Sequence, residues 1–343
     1  MSQEQRLDLL QAGKLSAEQL RELLTPLQRV DPRVVIGPQL GEDATVLDFG
    51  SKYLVVTTDP VTFATDRIGW YVVHVNANDI AVMGATPRWF FTALLLPEQE
   101  TTFAMVDSIM TEIRQTCDEF GITVSGGHTE ITTGLQRPII VGQMIGEVDK
   151  KDLIRKSSLQ VGDKILLTQG LAIEGTALLA REKRELLQNH LSADQIDQAE
   201  QFLFNPGISV VKAARIATSS GDIHSMHDPT EGGLVAGLHE LAVASGKGLR
   251  VFADRVPIFP ETRAICHCLQ IDPLRLIASG ALLIGASDKT VEKVVAALER
   301  EGIPVKEIAE VVPVNDGMQI ESGDATLPLI PPDRDEIAKV FEN

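Results

Sequence analysis

Leu7, Leu9, Leu10, Leu15, Leu20, Leu23 and Leu24 recur among polar residues at the start of the chain. Their spacing predicts two short amphipathic helices between residues 5 and 28, split by Gly13 and Ser16. Residues 30–41, with Pro32, Gly37, Pro38 and Gly41, predict an extended loop. The pattern then changes. Residues 44–49 and 53–58 are apolar runs rich in Val, Leu, Tyr and Thr, separated by Gly50-Ser51-Lys52, and they predict a β-hairpin. Residues 67–84 predict a helix that stops at Gly84, with Pro87 just beyond. A continuous apolar run at 89–96 predicts a buried strand, and 103–120 a helix ended by Gly121. A short strand at 122–124 is expected to deliver a glycine-containing turn, Ser125 to Glu130, before another strand at 138–148.

Residues 149–162 are charged and lack apolar periodicity, which places a domain boundary there, with domains at 1–150 and 151–343. Beyond it, strands are expected at 163–168, 249–253, 280–286, 308–312 and 318–321. Helices are expected at 170–185, 208–217, 234–245, 260–269 and 290–301, with 186–207 helical in part. The charged tail after Pro331-Pro332 reads as loose. Strand and helix alternate with some hairpins, which indicates a mixed α/β layer structure.

The chain has 343 residues, enough for two domains with real cores. Its net charge of −17 excludes a nucleic acid or an anionic membrane as the main partner. A phosphate-bearing substrate would need local compensation from metal ions, backbone N–H groups or a few Arg and Lys. Cys117, Cys266 and Cys268 form no paired framework, as in a reducing cytosol. Cys266-His267-Cys268 lacks zinc-ligand spacing, so its thiols read as buried helix side chains. The N-terminus shows no apolar run behind a basic start, and no stretch approaches membrane-spanning length, so a cytoplasmic protein is expected.

Candidate chemistry concentrates at four places. With the hairpin loop centred on Ser51, residues whose numbers sum to 102 face each other, which sets Asp43 beside Asp59. Two adjacent carboxylates repel, and a cation with a taste for oxygen, such as Mg²⁺, relieves them; turn aspartates that cap and face water are the alternative. On the 67–84 helix, Asn76 and Asp79 share a face with Val72 and Met83, a mixed face that suits a site wall. Gly126-Gly127 allows close backbone approach, with His128 and Glu130 able to bind metal or protons; a plain turn with a surface histidine is the alternative. Finally, Asp228-Pro229-Thr230-Glu231-Gly232-Gly233 feeds a helix N-terminus, a geometry that suits an anion or simple capping by Thr230.

Gly41-Glu42-Asp43-Ala44, Thr58-Asp59, Asn78-Asp79-Ile80-Ala81 with Gly84-Ala85-Thr86-Pro87, Gly126-Gly127-His128-Thr129, and the Asp228 run occur in that order. Together they resemble the aminoimidazole ribonucleotide (AIR) synthetase superfamily, whose members include thiamine-monophosphate kinase, selenophosphate synthetase and the hydrogenase-maturation carbamoyl dehydratase HypE. Ile271-Asp272-Pro273-Leu274 and Ala278-Ser279-Gly280 are most similar to the hydrogenase-maturation branch. The resemblance implies two α/β domains, the N-terminal ones pairing in a homodimeric β-barrel, and ATP in the cleft held through Mg²⁺. It implies metal ligands among Asp43, Asp59, Asp79 and Glu130. Nucleotide contacts are implied at Gly41, Asn78, Gly126, Gly127, Thr129, Thr230, Gly232 and Gly233, and catalytic roles for Asp79, His128 and Asp228. The expected activity is ATP-dependent activation of an oxygen on a small-molecule substrate by phosphorylation, with a small-molecule kinase or a silent nucleotide-binding protein as alternatives. Two departures stand out: His128 replaces an Asp of the hydrogenase and thiamine branches, and the chain ends Phe341-Glu342-Asn343 without the terminal cysteine of the hydrogenase branch. Thiocyanate-forming chemistry is therefore not expected to run here in its usual way.

Overall fold

The computed structural model describes residues 15, 17–27, 31–39, 41–62, 64, 66–332 and 334–341. The first of the two expected N-terminal helices lies outside them, and the second is α1 (Ala17–Leu24). Strands β1 (Val34–Ile36), β2 (Thr45–Asp48), β3 (Lys52–Val61), β4 (Thr86–Pro97), β5 (Thr123–Thr132) and β6 (Ile139–Asp149) form one sheet in the order β1-β2-β3-β6-β4-β5. The sheet is open within the chain, with β1 and β5 at its edges.

Helix α2 (Ile68–Val82) packs on β3 and β6, and α3 (Phe103–Phe120) packs on α2. All of α2 except Val75 is buried. It presses onto β6 where that strand has no side chains. A Cβ on Gly142 would sit 2.4 Å from Asn76 Nδ2, and one on Gly146 would sit 2.3 Å from Ile80 Cγ2. The other side of α2 enters the second half, where Ala81 and Val82 join a cluster with Leu166, Met226 and Ile284.

The second sheet holds β7 (Lys164–Thr168), β8 (Ser225–His227), β9 (Gly248–Phe252), β10 (Leu283–Ala286), β11 (Val305–Val312), β12 (Met318–Ser322) and β13 (Ala325–Pro328). Their order is β13-β12-β9-β11-β7-β10-β8. Alternate residues of β7 point to opposite faces, and both are covered. Ile165 and Leu167 meet α4 (Ile173–Glu182), α5 (Arg184–Leu187), α6 (Ala193–Gln201), α8 (Gly233–Ser245) and α9 (Pro260–Leu269) in one core. Leu166 faces the second core, with α7 (Val211–Ser220) and α10 (Asp288–Arg300). Among the described residues no helix is long and apolar enough to cross a membrane.

Three expectations are corrected. Leu47 pairs with Leu54 and Thr45 with Val56, so facing residues sum to one less than expected and Asp43 and Asp59 are not direct partners. The tight turn after Phe49, whose N–H bonds back to Lys52 O, sets that register. The Gly126-Gly127-His128 stretch is strand, not turn: Gly126 pairs with Phe91 and Gly127 with Thr92. A Cβ on Gly127 would lie 2.2 Å from the Thr92 carbonyl, so this glycine serves strand pairing. The tail is ordered into α11 (Glu336–Phe341), which buries Ile337 and Val340 in the second domain's core and Ala338 against the cavity.

One amide contributes a specific tie between the halves, beside the apolar packing of Ala81 and Val82. Asn78 on α2 donates from Nδ2 to the Ile208 carbonyl (2.8 Å) and accepts at Oδ1 from the Val210 N–H (2.9 Å). Asn78→Ala leaves both backbone groups buried without a partner. It is expected to lower stability by about 2–4 kcal/mol, read as a fall in the urea midpoint with unchanged slope. An unchanged midpoint would show that the halves do not depend on this contact.

Candidate functional site

A cavity of about 610 Å³ lies between the halves. The N-terminal half contributes Asp43 ahead of β2, Asp59 on β3 and Asp79 on α2; the other contributes His227, Asp228, Thr230 and Glu231. The placement follows from local periodicity. Val55 and Thr57 of β3 are buried toward α2, and Asp59 continues that face. On α2, Asn76 accepts at Oδ1 from the Asp59 N–H (3.1 Å) and donates to the Asp59 carbonyl (3.3 Å), which fixes the strand end. One helical step on, Asp79 accepts from the Thr57 hydroxyl (2.8 Å). Across the cavity, β8 ends at His227 and hands the chain to Asp228, both buried.

This concentration of carboxylates is only partly neutralised. Burial would raise the Asp43 carboxyl, but Lys156 and His227 outweigh it and hold Asp43 well below the usual carboxylate range. Lys156, 1% exposed, donates from Nζ to Asp43 Oδ1 at 2.8 Å. His227 Nδ1 meets Asp43 Oδ2 at 3.1 Å, and Nε2 meets Glu240 Oε2 at 2.7 Å. For His227, burial and Lys156 act to lower the imidazole, but Asp43 and Glu240 prevail and raise it to about 9. A protonated ring can donate to both carboxylates at once. For Asp79 and Asp228 burial and neighbouring acids prevail. Burial first, then Asp59, Asp228 and Asp43, drive Asp79 well above its ordinary range. Burial and the Asp43 charge raise Asp228 to about 7, and its Oδ1 is buried without a partner.

These residues fit a divalent ion. Asp43 and Asp228 place carboxylate oxygens within 4.8 Å of each other beside His227, whose ring is already engaged by Asp43 and Glu240, and the orphaned Asp228 Oδ1 is a vacant oxygen donor among like charges. The arrangement can hold a hard cation against an anionic ligand at the junction of two domains.

Other expected site residues lie elsewhere. His128 and Glu130 sit on the exposed edge strand β5, 3.3 Å apart and paired with each other, outside the cavity with Gly126, Gly127 and Thr129. Asn78 is committed to the domain junction and does not line the cavity. Gly41 does line it. Thr230 also lines it but is not the cap of α8, which begins after Gly232 with no side-chain cap. Gly232 and Gly233 are pressed against their own chain, where added Cβ atoms would meet Ala236 Cβ at 2.6 Å and the Leu276 carbonyl at 2.6 Å. The Gly232 N–H is taken by Asp335 Oδ2 at 2.6 Å, so a carboxylate of the chain itself occupies the anion position at this helix end.

Lys156, His227 and Glu240 were missed by sequence reasoning. His227 directly precedes the Asp228 run, a legible signal. Lys156 lies in the charged connecting stretch, where nothing in the pattern separates it from a solvated lysine.

Comparison with known proteins places both halves of the chain in one family. Residues 41–148 match the model for the AIR synthase related protein N-terminal domain, and residues 160–320 match that for its C-terminal domain. A hydrogenase expression/formation protein of Methanocaldococcus jannaschii is 28% identical over 88% of this chain and 87% of its own length. The carbamoyl dehydratase HypE of Escherichia coli is 26% identical over 76% of this chain and 74% of its own. A crystal structure of the hydrogenase maturation protein HypE in complex with ATP superposes with a TM-score of 0.70, covering 95% of this chain and 98% of that one at 22% identity, and so shares the fold. With both domain models matched in order, the chain belongs to the AIR synthase related protein family.

Proposed function

We propose that this protein binds ATP with Mg²⁺ in the cavity between its domains and transfers a phosphoryl group to an oxygen of a small acceptor molecule. The observation that carries the reading is the convergence of Asp79 from one half with Asp228 from the other, both buried and raised by their acidic neighbours, with the half-buried Asp59 lining the same cavity. Asp59, Asp79, Asp228 and the Asp43 carboxylate would hold the metal. Bound there, it would supply charge neutralisation for the triphosphate, the largest part of phosphoryl-transfer catalysis. The chain's own residues do the positioning. Asn76 locks the Asp59 strand end, Thr57 orients Asp79, and Lys156 with His227 keeps Asp43 ionised. The cavity closes around the reactants from both domains, which limits access of water. Similarity to the E. coli carbamoyl dehydratase and to the ATP-bound HypE fold supports the ATP dependence.

The same reading includes a homodimer through the first sheet. Strand β5 leaves a row of unpaired backbone groups along an open edge, with Ile131 56% exposed beside it. Light scattering at micromolar concentration is expected to give the mass of two chains; a monomer would remove this element.

Asp79→Asn keeps the side-chain shape and removes the charge. Calorimetric titration with ATP and Mg²⁺ is expected to show affinity lower by about tenfold or more, roughly 1.4 kcal/mol, in a protein that still folds. Unchanged affinity would exclude Asp79 from the site.

Metal binding is also expected to depend on pH. The folded Asp228 carboxyl lies above its ordinary value, moving from 3.8 to about 7. The fold therefore takes up a proton between those values. Its contribution to stability is fully present below 3.8 and lost as pH rises through about 7. A cation reverses this by favouring the ionised form. The Mg²⁺-induced rise in melting temperature is thus expected to grow from pH 5 to about 8. A rise independent of pH would show that the ion binds away from Asp228.

A further inference from the structure

Two further buried polar atoms on residues that line the cavity have no partner among the described residues. One is Glu174 Oε2, in the first turn of α4; the other is the Tyr71 hydroxyl, on α2. Glu174 is 8% exposed and Tyr71 2%, and both residues line the cavity. Tyr71 precedes Asp79 by eight residues on one helix, so at 1.5 Å per residue it stands about 12 Å from the carboxylate cluster. The metal chemistry does not use it.

A buried carboxylate oxygen with no donor and a buried hydroxyl with no partner each carry a free-energy cost that natural structures rarely leave in place without a reason. The charges acting most strongly on Glu174 do not relieve it. Ser279 donates to it, while Asp335 and Glu231 repel it; burial and these two acids raise it to about 7. Tyr71 is raised as well, by burial and then by Glu174 and Glu182, so it remains a neutral phenol. The two atoms need a group with N–H donors, and the surrounding acids favour a positive one.

The geometry points to a subsite at Glu174 and Tyr71 that takes a cationic nitrogen group, an ammonium or amidinium, of the acceptor molecule. This rests on the reading of the cavity as a phosphoryl-transfer site and adds the acceptor's chemical class. The nitrogen end would anchor about 12 Å from the metal end, which leaves the acceptor's oxygen free to reach the terminal phosphate. Charge supplies affinity, and the two N–H bonds supply discrimination: a cation without N–H groups leaves both protein atoms unpaired.

The test uses the full-length protein and acetamidinium chloride as the ligand, with tetramethylammonium chloride at equal ionic strength as the control. Binding is followed by saturation-transfer NMR, and ATP·Mg²⁺ affinity is followed separately by calorimetry. Acetamidinium is expected to bind the wild type, and tetramethylammonium is not. Glu174→Gln is expected to weaken acetamidinium by about tenfold and Tyr71→Phe by a few-fold, with ATP·Mg²⁺ affinity unchanged in both. Tyr71→Phe removes no charge and one orphaned hydroxyl, so it remains informative if Glu174→Gln folds poorly. Equal binding of the two cations would overturn the subsite, since simple attraction to acid would explain it. Absence of acetamidinium binding in a protein that binds ATP would also overturn it, an internal water then serving both atoms. A loss of ATP affinity in Glu174→Gln would assign the two atoms to the nucleotide instead. Failure of the wild type to bind ATP at all would refute the proposed function, while the acetamidinium result would still decide the subsite.

Discussion

Burying acids from two domains at one place is the constraint on which this molecule turns. Asp79 and Asp228 are buried, with the half-buried Asp43 and Asp59 beside them. Their mutual repulsion in a poorly polarisable interior is far larger than it would be in water. One of these charges is settled internally. Lys156 and the imidazole of His227 grip the two oxygens of Asp43 from the second half of the chain. Removing either partner would strand a buried charge, a heavier cost than the pair's net contribution suggests. The contact therefore does two jobs: it ties the domains together and keeps Asp43 ionised. The remaining acids are left short, and that deficit is what a divalent ion can relieve.

The deficit is held in place by an unusual helix. α2 is buried almost all round, which its near-continuous apolar sequence predicts for a helix between two layers. Its polar residues are each tied to a specific backbone or side-chain partner. Asn76 grips β3, Asn78 grips the segment before α7, and Asp79 takes the Thr57 hydroxyl. A helix so constrained cannot slide without breaking hydrogen bonds to both domains. The cavity wall is therefore rigid where the carboxylates stand. Rigid placement is what electrostatic catalysis asks of a protein.

Much of this was legible in the residues. The extent of α2 and α3, the strand at Trp89 and the alternation of the second half follow from periodicity and from Gly84 and Gly121 as stops. Asp43, Asp59, Asp79 and Asp228 were legible as a group because each sits where a strand or helix meets a polar interruption. Other features depend on distant contacts that no local window contains. Gly126 and Gly127 read as a ligand-facing turn, yet the lack of a Cβ at Gly127 is required by Thr92, some 35 residues earlier in the chain. Asn78 sits beside Asp79 in sequence, but its amide turns toward residues 208 and 210. The tail looked solvated by composition, and only the second domain's core shows why Ile337 and Val340 are placed where they are. Lys156 is the clearest case, since its meaning comes wholly from Asp43, which lies 113 residues away.

The start of α8 shows how that distant information alters function. A glycine-led helix N-terminus beside a cavity is well suited to a phosphate. Here the Gly232 N–H is bonded to Asp335, whose other oxygen accepts from the Ile337 N–H. Asp335 is buried at the base of α11, and burial outweighs these hydrogen bonds to raise it to about 6. Near neutral pH it remains an internal anion on the helix end, and a second anion there would meet its charge directly. In the proposed reading, phosphate would therefore bind away from this helix end, on the side of the cavity where Asp59, Asp79 and Asp228 converge. The segment that reads as a loose tail is thus part of the cavity wall, and its own carboxylate fills the anion position at the start of α8.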